Sequence, residues 1–187
     1  MPSLLALFLL CSAVFHVSAH NSNTDNLWYA KKLASNETGI FFQSKVHVLR
    51  LGPGEDLLDS LWKYARVTNI HAASVASVVG SLTTTNIRYA NQEDGTSLSG
   101  HFEIVSVVGS IDLQTPEAPG YEGNGHIHIS CSDEKGVTIG GHMLSGNIVY
   151  TTAEITILEI TNGLFDRVLD DGPDGSGYFE LQVHHED

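Results

Sequence analysis

The chain of 187 residues carries nine Lys and Arg against 22 Asp and Glu, a formal charge of −13. Its length suits one domain burying about two thirds of the surface its unfolded form exposes, and 42% apolar with 17% charged residues excludes the disordered and collagen-like classes. Excess acid repels phosphate backbones and anionic lipid heads, so the charge predicts no nucleic-acid partner and no membrane partner.

Residues 1–19 hold no charged side chain and run from Leu4-Leu5-Ala6-Leu7-Phe8-Leu9-Leu10 to the small-residue site Val17-Ser18-Ala19. This predicts a secretory signal peptide and a secreted, extracellular product starting at His20; an uncleaved anchor is the alternative, because the usual basic n-region is absent. Asn36-Glu37-Thr38 is a glycosylation acceptor that only the secretory route could use. Cys11 leaves with the signal peptide, so Cys131 stays without an intramolecular partner, and Ile127 and Ile129 of the same strand parity predict that it is buried and inert.

Residues 20–43 are Asn-rich and weakly periodic, a lead-in to a domain expected over 44–183 with a short tail over 184–187. Val46 to Leu51 alternates as a strand, Gly52-Pro53-Gly54 turns, and Glu55 to Arg66 reads as an amphipathic helix burying Leu57, Leu58, Leu61, Trp62 and Ala65. Strands are expected over 70–82, 83–90, 101–113, 125–131, 137–144 and 147–160, with a weaker pair at 164–169 and 178–183. Turn signals such as Asp133-Glu134-Lys135-Gly136 favour hairpins, so the fold class is α+β with a mainly antiparallel sheet and one principal helix. Asp170 to Gly175 reads as a solvated loop, lacking the closing Glu of a calcium-binding loop.

The chemically informative stretch is Gly125-His126-Ile127-His128-Ile129, followed by Gly140-Gly141-His142. Residues two apart on a strand share a face, so His126 and His128 project together while the two Ile point to the core. His142, a hairpin away, adds a third nitrogen if the register sets it opposite the pair, and three imidazoles with one open position describe a site for a divalent metal, zinc first. Gly123, Gly125, Gly140 and Gly141 surround these histidines, as strands do where something approaches the backbone closely. The other reading, three histidines on a solvated sheet face, stays open. Glu103, by parity with Val105 and Val107, and Glu154 are candidates for a catalytic base or a partner to the ligand histidines, with a hydrogen-bonded or interface carboxylate as the reading ahead of catalysis. His71, His101 and the His184-His185 pair lack partners at informative spacing.

From Lys45 to Leu181 the order of segments resembles the PPC domain, the plant and prokaryote conserved domain. The matching stretches are Leu51-Gly52-Pro53-Gly54-Glu55-Asp56, Val79-Gly80-Ser81-Leu82 with Ile87-Arg88, Gly100-His101-Phe102-Glu103-Ile104-Val105, Gly125-His126-Ile127-His128, Gly140-Gly141-His142 and Thr152-Ala153-Glu154. The tail is similar to that of the stand-alone prokaryotic members; no Arg-Gly-Arg-Pro AT-hook occurs, and His101 stands where plant members carry Arg. The resemblance implies an α+β homotrimer with a metal at His126, His128 and His142. Three functions remain open on sequence: a secreted metal-binding module with a small-molecule ligand, a metal-dependent hydrolase or lyase, and a structural assembly module without metal.

Overall fold

In the computed structural model, residues 42–112 and 125–185 are described. The expected signal peptide, Asn36, nearly all of the expected lead-in, Gly123 and the last two residues of the expected tail lie outside the described residues. The elements run β1 (Ser44–Leu51), α1 (Leu57–Thr68), β2 (Ala72–Arg88), β3 (Thr96–Asp112), β4 (Gly125–Asp133), β5 (Thr138–Met143), β6 (Ile148–Ile160), β7 (Gly163–Leu169) and β8 (Phe179–His185). The class is α+β, dominated by antiparallel sheet with a single principal helix among the described residues.

Several boundaries differ from expectation: β3 starts at Thr96, five residues before the expected 101, and α1 runs Leu57–Thr68. The segments expected to be separate strands over 70–82 and 83–90 form one 17-residue strand, β2. Thr83-Thr84-Thr85 offers β-branched side chains and no turn residue, and the irregularity is absorbed by register shifts between Leu82 and Thr84 against both neighbours. β8 continues through His185, so the expected tail begins as strand, with His184 Nε2 3.5 Å from Asp166 Oδ2.

The main sheet has the order β1-β6-β2-β3-β4-β5, and β5 also pairs with the end of β2 through Ile87↔Met143 and Arg88↔His142. β2, β3, β4 and β5 therefore close on one another, and this joint positions the site. Gly141 permits it: a Cβ there would meet the Arg88 carbonyl at 2.6 Å and Ile87 Cγ2 at 2.7 Å. β7 and β8 form a separate two-stranded ribbon.

Helix α1 opens on Asp56, whose side chain accepts from the Asp59 N–H, and closes on Asn69 in the left-handed conformation. Its buried face, Leu57, Leu58, Leu61, Trp62 and Ala65, joins one core with Leu82, Ile87, Ile111, Ile127, Ile129, Met143, Ile155 and Ile157. Cys131 lies in that core and its thiol donates to Thr85 Oγ1 at 3.6 Å, as expected of a structural cysteine. Buried Asn147 clamps the end of the β2–β5 joint: its Oδ1 accepts from Thr85 Oγ1 at 2.9 Å and Asn86 N at 3.1 Å, while its Nδ2 donates to the Asn86 and Leu144 carbonyls at 3.1 and 2.6 Å. The sheet face turned away from the core leaves Val46, Val48, Val79, Val108 and Leu158 exposed. Among the described residues, no helix is long and apolar enough to cross a membrane.

Candidate metal centre

β4 alternates strictly: Ile127, Ile129 and Cys131 are buried, while His126 and His128 face outward. The β4–β5 register sets His142 directly opposite His128, on the same face. The His126 and His128 Nε2 atoms are 2.9 Å apart, and one ring nitrogen from each of the three histidines lies within 4.8 Å of the others. A tetrahedral zinc with Zn–N bonds of about 2.0–2.1 Å separates its ligand nitrogens by roughly 3.3 Å, so small side-chain adjustments bring the trio onto one ion.

Two further observations fit this reading. His142 Nδ1 is buried without a hydrogen-bond partner, the situation of a nitrogen whose lone pair serves an ion. Burial, assisted by the Arg88 cation and the neighbouring imidazoles, depresses the His142 pKa to about 4, and burial with His128 beside it lowers that of His126. Both rings are neutral at pH 7 and keep the lone pairs that ligation needs.

The structure brings the three histidines together and leaves the two candidate bases elsewhere. Glu103 is exposed and pairs with Ser132, four residues along β4 from His128 and about 13 Å away at strand spacing. The parity with Val107 that placed it on an apolar face is broken by a register shift between Ile104 and Ser106, which leaves Val105 exposed and Val107 buried. Glu154 pairs with Arg50 and Val79, nine residues along β2 from Arg88. His101 stacks on Tyr150 at 4.3 Å between ring centroids.

Residues that sequence reading did not assign to the site also border the centre. Ser110 stands opposite His126, and its Oγ accepts from Arg167 Nη2 at 2.7 Å, while Arg167 Nε contacts buried Asp112 at 3.3 Å. Arg88 stands opposite His142. The Gly125 and Gly141 signals belong to the fold: a Cβ at Gly125 would strike the Ser110 carbonyl and the Trp62 ring, so these glycines let strands and helix close behind the histidines.

Comparison with known proteins bears on both fold and partners. A Salmonella cholerae-suis protein of solved structure is 35% identical, with a TM-score of 0.69 over 78% of this chain and 97% of its own. A metal-containing protein from Archaeoglobus fulgidus shares the fold at 22% identity and TM-score 0.58, over 77% of this chain and 98% of its own. A Synechococcus protein named bifunctional protein GlmU is 36% identical over 139 residues, 74% of this chain and 20% of the relative, so the chain spans about a fifth of its length.

The expectation of no nucleic-acid partner is corrected here. AT-hook motif nuclear-localized protein 20 of Arabidopsis thaliana is 26% identical over 74% of this chain and 47% of its own, and folds like this one include candidate DNA-binding proteins from Bacteroides thetaiotaomicron and Ralstonia eutropha. With a nuclear AT-hook protein among its relatives, the exclusion of a nucleic-acid partner does not stand. Net charge sums over the whole molecule, whereas an interface needs only a local surface of suitable sign, so −13 did not license the exclusion. Residues 41–161 match the Plants and Prokaryotes Conserved (PCC) domain, also written PPC, and with the fold in agreement the chain belongs to that family.

Proposed function

We infer that the protein is a secreted, homotrimeric PPC module that holds one zinc ion through His126, His128 and His142. The observation that carries the metal is the convergence of three imidazole nitrogens within 4.8 Å on the outer face of a strand pair whose inner face is core. Neutral nitrogen donors suit a borderline divalent ion, and the metal-containing Archaeoglobus relative supports the reading. Three ligands leave one position for water or a small molecule. A binding module is favoured over a hydrolase or lyase because neither Glu103 nor Glu154 stands beside the imidazoles.

Assembly is supported by the apolar face that one chain leaves open: Val46 and Val48 are 60% and 74% exposed, and Val46 pairs directly with exposed Leu158. Secretion rests on the leader pattern of residues 1–19, and a glycan on Asn36 would follow from it. Intact mass of exported protein checks both: a product starting at His20 supports secretion, and retention of Met1 removes it.

The metal test is elemental analysis of protein purified without affinity tag or chelator. One zinc per chain is expected in the wild type and none in the His126→Ala/His128→Ala double variant, with the fold kept because Ile127 and Ile129 supply the packing. Wild-type protein without metal and without a thermal shift on added zinc would sink the reading.

A further inference from the structure

Arg88 ends β2 directly opposite His142, which itself lies directly opposite His128. Directly opposed residues hold their Cβ atoms about 4.5–5.5 Å apart on one face. Arg88, His142 and His128 therefore form a row across three strands, with His126 two residues along.

The charge of Arg88 is available. Among the described residues it pairs with no carboxylate, and its contact is Nη1 to the Gln92 carbonyl at a long 3.5 Å. Arg167, whose charge is also felt at the trio, is held by Asp112 and Ser110. The acid felt at His126 is Glu180 on β8, which accepts from Ser176 Oγ at 2.8 Å.

Three neutral imidazoles leave both charges of a divalent ion uncompensated, and Arg88 adds a third positive charge beside it. Net repulsion falls when an anion occupies the open position and accepts from the guanidinium. A guanidinium matches carboxylate and phosphate alike. One open position and one available guanidinium match the two oxygens of a carboxylate, whereas a phosphate would bring further anionic oxygens for which Arg88 supplies no second cation.

We propose, resting on the metal reading above, that the centre binds a carboxylate-bearing small molecule, one carboxylate oxygen on the metal's open position and the group hydrogen-bonded by Arg88. Arg88 is then a recognition residue for the ligand and not part of the metal's own shell.

Cobalt-substituted full-length protein tests this, because visible absorption of Co(II) reports ligand exchange directly. Acetate and inorganic phosphate are titrated into wild type, Arg88→Met and Arg88→Lys, with cobalt stoichiometry measured in each. Acetate is expected to shift the wild-type spectrum saturably and to bind at least tenfold more weakly to Arg88→Met, with Arg88→Lys between them and cobalt content equal in all three. Wild type that binds no cobalt removes the metal reading and this one with it. Stoichiometric cobalt with acetate affinity unchanged in Arg88→Met, or with phosphate bound more tightly than acetate, overturns the carboxylate assignment and leaves the metal centre standing.

Discussion

His142 titrates against its own burial. Its ring is held near pKa 4 by loss of solvent first and by Arg88, His126, His128 and Arg167 after that, against an ordinary value of 6.5. The unfolded chain therefore takes up this proton before the folded one does, so acidification favours unfolding. In chelator-treated protein this residue's contribution is complete above about pH 6.5 and lost as pH falls toward 4. Denaturant midpoints measured across that window should fall, and the His142→Gln variant should show a shallower slope. Asn147 acts at the same scale without charge. All four hydrogen bonds of its side chain are made inside the protein, two of them to backbone carbonyls that close the β2–β5 joint. Asn147→Ala strands those groups away from water and should lower unfolding free energy by about 2–3 kcal/mol in urea titration. A loss under 0.5 kcal/mol would mean that water replaces the amide there.

At the scale of elements, the joint between β2 and β5 builds the centre. β4 alone supplies two histidines by period-two alternation, but the third nitrogen arrives only because β5 lies in register with β4, and Arg88 only because β5 also meets β2. Gly141 is the residue that lets those backbones approach, since any side chain would press on the Arg88 carbonyl and the Ile87 side chain. Gly141→Val should therefore destabilise by about 1–3 kcal/mol and, by displacing His142, weaken zinc binding more than an equally destabilising change such as Ile155→Val would. Isothermal titration with zinc on matched variants decides it; equal affinities would show that the joint does not position the ligand. Helix α1 supports the same strands from behind, with Trp62 against Gly125 immediately before the histidine pair.

For the whole molecule, α1 covers one face of the sheet, and on the opposite face Arg167 of β7 reaches Ser110 and buried Asp112 while Val46, Val48, Val79, Val108 and Leu158 stay exposed. Val108 stands opposite His128, so the apolar surface runs up to the metal centre. Assembly through this face would remove apolar area from water at about 25 cal/mol per Å² and would bring neighbouring copies close to the ligand position. Val46→Asp/Val48→Asp should convert trimer to monomer in light scattering at micromolar concentration while leaving the monomer folded, because both side chains point away from the core. A wild-type monomer would remove the assembly, and a trimer that survives the double change would place its interface elsewhere.

Local pattern determined much of this protein. The helix over its apolar face, the alternation that turns Ile127 and Ile129 inward and His126 and His128 outward, and the burial of Cys131 all follow from periods of 3.6 and 2 acting within a few residues. The antiparallel α+β class and the PPC resemblance were legible for the same reason, since turn residues and strand runs are contiguous in the chain. Tertiary structure decided what depends on register between segments distant in sequence. It joined Thr83 onto the preceding strand, reversed the parity around Glu103 through a bulge, set His142 opposite His128, and brought Arg88 beside His142, which lies more than fifty residues further along the chain. Register is a property of paired strands, and a one-residue shift exchanges the two faces, so no pattern within a single strand can report which side chains will meet across a sheet.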